Sequence, residues 1–149
     1  SLRDVLEVRR SLEELAIELA CERMTEEELR TLEQAQAAFK KAIEDGDAMA
    51  FAETDESYHD LIYQGTGNDK LVQILNNLRE QMYRYRLEYI KDRDKRQILL
   101  LEHDHILKAL RGRNIADAKM AVREHIDNQE ITVSRNIKEK EQQTGKGRR

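Results

Sequence analysis

A chain of 149 residues is long enough for one domain with its own core and hardly long enough for two. Proline is absent, glycine numbers 6, aromatic residues make up 5% and charged residues 38%, a profile that favours helix, offers little to strands and predicts an all-α fold. The net charge of -4, from 26 basic and 30 acidic residues mixed along the chain, excludes the basic field that a phosphate backbone requires, so this chain alone is not expected to bind nucleic acid.

Helical periodicity and stop signals predict six helices. The first covers about Leu2 to Arg23, with Val5, Leu12, Leu15, Ile17 and Leu19 on a broad apolar face. Cys21, the single cysteine, has no partner for an internal disulfide, and no apolar run approaches the length of a signal sequence or a membrane span; a reducing cytoplasm fits best. Thr25-Glu26-Glu27-Glu28 has the form of a capping box, in which hydroxyl and carboxylate each satisfy a free amide, and it opens a second helix ending near Asp45-Gly46. Asp47 caps a third helix through about Gln64. Gly65-Thr66-Gly67-Asn68 then breaks the pattern and supplies the cap of a long fourth helix, residues 69 to about 90.

Charged residues 91 to 96 read as a joint. A fifth helix covers roughly 96 to 111, Gly112 stops it, Asn114 caps the sixth, and the sixth continues to about Lys140. Short connections favour antiparallel neighbours in a bundle. The polar end, 141–149, carries the basic run Lys146 to Arg149 and reads as a disordered terminus, so the domain proper is expected over 1–140. With no initiator Met and a first helix that starts almost at residue 1, the chain reads as a piece of something longer.

Three of these helices carry ionisable groups where apolar ones belong. At 100° per residue the third has the stripe Phe51, Asp55, Tyr58, Ile62 with His59 at its shoulder, the fifth has Leu99, His103, Ile106, Leu110, and the sixth has Ala118, Val122, His125, Gln129. A buried carboxylate or imidazole costs several kcal/mol unless something pairs with it. Asp55 and His59, at i and i+4, can chelate one ion from one side, and an antiparallel hairpin about Gly112 brings His103 and His125 to heights differing by only about 4 to 6 Å. One cation held by Asp55, His59, His103 and His125 would offset four desolvations at once, and the donor set suits zinc foremost, or nickel, iron or manganese. The competing reading is a set of core histidines each bonded to a backbone carbonyl. His105 lies about 120° from the apolar centre of its helix and is expected to be exposed or outside the ligand set.

A rival constellation uses Glu56-x-x-His59 and Glu102-x-x-His105, the i, i+3 pairs of di-iron carboxylate bundles, with Glu14 and Glu33 as further ligands in a metal-dependent helical-bundle enzyme. It turns Glu102 and His105 toward the core, whereas the apolar side of their helix favours His103, and it leaves Asp55 and His125 without a role. No positioned general base or nucleophile accompanies the four preferred ligands, so no catalytic residue is assigned and a non-enzymatic role is expected.

The sequence resembles the FadR C-terminal (FCD) effector domain of GntR-type bacterial transcriptional regulators. The resemblance runs through Leu6-Glu7-Val8-Arg9-Arg10-Ser11-Leu12-Glu13, Asp55-Glu56-Ser57-Tyr58-His59-Asp60-Leu61-Ile62, Gly67-Asn68-Asp69-Lys70-Leu71, Glu102-His103-Asp104-His105-Ile106-Leu107-Lys108-Ala109-Leu110 and Ala118 to His125. Its most specific element is the Asp-x-x-x-His pair followed by histidines 44 and then 22 residues later. It implies an antiparallel bundle of six or seven helices whose central cavity holds a divalent metal at the positions of Asp55, His59, His103 and His125, as in the metal-dependent branch of the family. It also implies a homodimer, a small carboxylate or hydroxy-acid effector on the metal, and operator DNA bound only by an N-terminal winged helix absent from this chain. Arg9 matches the arginine of the family's Glu-x-Arg motif and would pair with the effector carboxylate; read without the family, it is a surface residue or a partner of Glu13. Arg79, Tyr83 and Arg86 share one side of the fourth helix, apart from the stripe Leu71, Leu75, Leu78, Met82, Tyr85, and either reach into the cavity to fix an anion or form a solvated face or dimer surface.

Overall fold

The computed structural model describes residues 2–147, which form seven helices and, among the described residues, no strand. They are α1 (Leu2–Arg23), α2 (Glu26–Asp45), α3 (Ala48–Gly65), α4 (Asp69–Asn77), α5 (Arg79–Lys91), α6 (Arg93–Arg111) and α7 (Ile115–Gly147). The caps expected from sequence are present. Thr25 accepts from the Glu28 amide at 3.1 Å while Glu28 returns the bond to the Thr25 amide at 3.0 Å, and Asp47, Asn68 and Asn114 each accept from an amide three residues on.

Three boundaries differ from the sequence reading. The long fourth helix is two, because Leu78 (φ -100, ψ 4) leaves helical geometry between α4 and α5 without a proline or glycine to mark it. The joint expected over 91 to 96 is a single residue, Asp92, whose carboxylate caps α6 by accepting from the Asp94 amide at 3.1 Å. The last helix runs on past Lys140 through Gly147, so most of the segment read as a disordered terminus is helical, exposed from Ile137 to Thr144; Arg148 and Arg149 lie outside the described residues. At the α6–α7 turn Gly112 keeps an ordinary φ of -77 and the left-handed residue is Arg113 (φ 54), whose guanidinium donates to the Cys21 carbonyl at 3.1 Å.

The helices pack as hairpins that share a centre. α2 lies along α3, α6 along α7, and α1 closes against α7 and α3. The main core gathers Ile17, Ala20, Leu29, Leu32, Tyr58, Ile62, Ile106, Leu110, Val122 and Ile126 from α1, α2, α3, α6 and α7. Each of the three stripes drawn on α3, α6 and α7 is buried along its length, polar members included. On α1 the buried face is instead Leu6, Arg9, Glu13, Ala16, Ile17 and Ala20, and Leu15 points outward. Burying Arg9 and Glu13 costs several kcal/mol unless both are paired, so this face signals a polar interior. Among the described residues no helix is long and apolar enough to cross a membrane.

Candidate metal centre

α3 presents Asp55 and His59 from successive turns, α6 presents His103, and α7 presents His125, all fully or nearly fully buried. One ligand nitrogen from each of the three imidazoles falls within 4.8 Å of the others, a spacing that suits a shared ion. The rings meet at centroid distances of 5.4 Å (His59–His103), 5.6 Å (His59–His125) and 5.9 Å (His103–His125). Asp55 Oδ1 joins them, 3.4 Å from His59 Nε2 and 3.1 Å from His103 Nε2. Asp55 Oδ1 and the Nε2 atoms of His59, His103 and His125 are all buried without a hydrogen-bond partner. Four buried polar atoms without partners, on three clustered imidazoles and a carboxylate beside two of them, carry a penalty that a cation would remove, and a carboxylate with three imidazoles is a set that a first-row divalent ion accepts.

The outer partners fix the rings for that task. His103 Nδ1 lies 3.1 Å from Gln36 Oε1, and Gln36 in turn donates to Asp104 Oδ1 at 2.9 Å and the Leu100 carbonyl at 3.2 Å. His125 Nδ1 lies 3.3 Å from Glu102 Oε1, and Glu102 accepts from the Tyr89 hydroxyl at 2.8 Å and the Asn128 amide at 3.1 Å. An acceptor at Nδ1 places the proton there and leaves the Nε2 lone pair facing inward. Tyr58 stacks on His103 at 4.0 Å and donates to its backbone carbonyl at 2.8 Å. Burial holds His59 well below the usual imidazole range, helped by the nearby Arg86 charge and opposed by Asp55; burial likewise lowers His103. For Asp55 burial alone would raise the carboxyl, and the facing His59 and His103 outweigh it, holding it well below its usual range.

A second polar cluster lies beside the imidazoles. Tyr63, one turn beyond His59 with ring centroids 6.4 Å apart, donates its hydroxyl to Glu13 Oε1 and accepts from Arg86 at 2.7 Å. Arg9 donates to Gln129 Oε1, so α1 is tied to α7 inside the domain. Arg9, Glu13, Tyr63, Arg86 and Gln129 are all buried. The surface reading of Arg9 is therefore wrong, and Arg86 faces inward because α5, turned by the break at Leu78, buries Met82, Arg86 and Tyr89. The structure does not bring Arg79 and Tyr83 into this cluster. Arg79 is on the outside, paired with Glu56 at 2.5 Å and Asp60 at 3.0 Å, where solvent contact costs it nothing; Tyr83 is half-buried and makes no polar contact with Arg9, Arg86 or the imidazoles. Sequence reasoning did not assign the outer partner Gln36 or the site residues Glu13, Tyr63 and Gln129, although Gln129 stood on a buried stripe.

The di-iron arrangement is not formed. Glu56 is paired with Arg79, His105 with Asp117 at 3.1 Å, Glu14 with Arg123 and Glu33 with Arg111, all near the surface, and only Glu102 and His59 are interior. Leu6, Arg9, Tyr85, Gln129, Glu130, Val133 and Ser134 line a narrow crevice between α1, α5 and α7.

An all-helical domain with donor groups gathered inside it is the class that fold and site define, and comparison with known proteins gives the family. The chain belongs to the FCD domain family, which it matches over residues 4–128. It is 26% identical over 125 residues to the uncharacterized HTH-type transcriptional regulator YdhC of Bacillus subtilis (strain 168), covering 83% of this chain and 56% of that protein. In fold it is similar to E. coli McbR/YncC, with a TM-score of 0.79 at 20% identity over 90% of this chain and 68% of the other. Streptococcus agalactiae GntR gives a TM-score of 0.71 at 24% identity, over 85% and 56% of the two chains. The chain thus spans little more than half the length of the curated relative it matches.

Proposed function

We propose that this domain is the effector-sensing part of a GntR-type transcriptional regulator, that it holds a divalent metal ion at Asp55, His59, His103 and His125, and that a small carboxylate or hydroxy acid binds at the ion. The observation that carries the reading is the three buried imidazoles that bring a nitrogen each within 4.8 Å of one another, with Asp55 Oδ1 beside two of them and no hydrogen-bond partner for any of these atoms. The bound ion supplies a Lewis-acid anchor for an acid oxygen. Zinc fits this set best, with nickel, iron and manganese as alternatives. Gln36 and Glu102 hold the imidazole tautomers, Tyr58 holds the His103 ring plane, and Arg9 and Arg86 supply positive charge to the effector beside the ion.

In this reading the domain works as a homodimer in the cytoplasm, and operator DNA is bound by a winged helix joined ahead of α1. The name of the Bacillus relative, an HTH-type regulator, supports that arrangement. The acidic balance of this chain is consistent with leaving DNA contact to another part. An effector shifts the regulator only by the difference of its affinity for the DNA-competent and incompetent arrangements. Arg9 is placed to transmit such a difference, because its bond to Gln129 ties α1 to α7.

The test is a thermal-shift screen of small carboxylates on metal-loaded and chelator-treated protein. Stabilisation by at least one acid in the loaded form, lost in the treated form and in Asp55→Ala, is expected. Equal stabilisation with and without metal would remove the ion from the sensing role.

A further inference from the structure

The four residues of the metal centre are shut in: Asp55, His59, His103 and His125 expose 2%, 4%, 0% and 3% of their surface. An ion that exchanges with solvent while the domain stays folded needs an element to move aside. α3, α6 and α7 carry the donors, and α1 and α2 give Ile17, Ala20, Leu29 and Leu32 to the main core, so moving any of them takes the centre or the core apart. α5 is placed otherwise. It covers the centre, with the Tyr89 ring edge-on to His125 at 6.2 Å, yet supplies no donor and, among the described residues, no member of the main core. Of its four buried side chains, Arg86 and Tyr89 are held by hydrogen bonds, to Tyr63 at 2.7 Å and to Glu102 at 2.8 Å, and only Met82 and Ile90 by apolar packing alone. A helix with so little apolar anchorage belongs to the part of a fold that opens first.

Both ends of α5 are built to turn. Leu78 (φ -100, ψ 4) and Asp92 (φ -78, ψ 105) each separate it from the next helix by a single residue, and a helix between two such joints moves as a rod while the joints absorb the rotation. Each joint is spanned by one arginine. At the first, Arg79 donates to Asn76 of α4 at 3.3 Å and to Glu56 and Asp60 of α3 at 2.5 and 3.0 Å. At the second, Arg96 of α6 donates to the Ile90 carbonyl at 3.1 Å and lies 4.3 Å over the Phe51 ring of α3. Along the α7 side, two open grooves of about 360 and 390 Å³, the first floored by Leu87, Val133 and Ile137, leave room beside the helix.

We propose that α5 is a gate over the metal centre, turning at Leu78 and Asp92 and latched by Arg79 on Glu56 and Asp60. This rests on the metal-dependent reading above. The latch lies at the surface, where water replaces each of its bonds, so releasing it costs little. The inner bonds of Arg86 and Tyr89 favour the closed position.

The experiment follows zinc uptake by the metal-free chain and zinc release from the loaded chain to excess chelator, by stopped-flow, for the parent, Arg79→Ala and Arg111→Ala, with hydrogen exchange measured on each. Arg111 is the control, since its ion pairs with Glu26 and Glu33 are also at the surface but join α6 to α2. Arg79→Ala should speed uptake and release by the same factor, about two- to fivefold, the value of exposed ion pairs, and leave the dissociation constant unchanged. A defect in the donor set would move the dissociation constant instead. The α5 amides of Arg79→Ala should exchange faster by a similar factor while those of α6 and α7 do not, and Arg111→Ala should match the parent. Uptake and release at the same rates in all three proteins would overturn the gate and leave the metal centre intact. Zinc bound by none of them would overturn both.

Discussion

At the scale of single residues, the site is a problem of desolvation solved by pairing. His103 keeps Nε2 inward because Gln36 Oε1 takes its other nitrogen. Gln36→Leu therefore leaves a buried imidazole N–H without an acceptor; metal affinity should fall about ten- to a hundredfold, read by chelator competition, with stability reduced by about 1–3 kcal/mol. Arg79→Ala is the contrasting change, since its ion pairs are on the surface, and it should alter unfolding free energy by less than about 1 kcal/mol and leave acid binding unchanged. The imidazoles also set a pH dependence for the metal-free protein. His59 and His103 have folded pKa values below their unfolded ones, so as pH falls through about 6.5 the unfolded chain takes up protons that the folded chain refuses. Urea unfolding of chelator-treated protein should show stability declining steadily from pH 7 to pH 5, and a flat profile over that interval would contradict the buried neutral imidazoles.

At the scale of helices, periodicity and caps account for most of the fold. The Thr25–Glu28 box, the Asp47 and Asn68 caps and the stripes of α3, α6 and α7 were legible because each is a local pattern with a local cause. Thr25→Ala should cost about 1 kcal/mol in chemical denaturation by removing one half of the box and unseating the other. Gly65 was read as a stop signal, whereas the structure shows a packing reason for it: a Cβ there would lie 2.5 Å from Met24 Cγ, where the end of α3 meets the α1–α2 link. The break at Leu78 was not legible, because no residue in that stretch disfavours helix strongly and tertiary packing alone decides it. The mixed outcome for Arg79, Tyr83 and Arg86 has a different cause. All three lie in α5, after the break, so what separates them is position along that helix: Arg79 at its start meets Glu56 and Asp60 near the surface, whereas Arg86, two turns on, is buried. Glu13 was legible as the i+4 partner of Arg9, which it faces at 4.0 Å, but Tyr63 gave no signal, since a charged residue on α1 and a tyrosine on α3 become a pair only when α1 crosses α3.

At the scale of the whole molecule, the ligands come from three helices that are far apart in sequence, so an ion bound by them joins α3, α6 and α7 while the arginine cluster joins α1, α3, α5 and α7. α3 and α7 belong to both groups. A structural role for the ion predicts linkage: with metal at a thousand times its dissociation constant, unfolding free energy should rise by about 4 kcal/mol over the chelator-treated protein. The most direct measurement is a calorimetric titration of zinc into the metal-free chain, with His125→Ala beside it. One ion per chain, with affinity largely lost in the variant, is the result this account predicts. No binding, or one ion held as tightly without the His125 imidazole as with it, would contradict the shared centre.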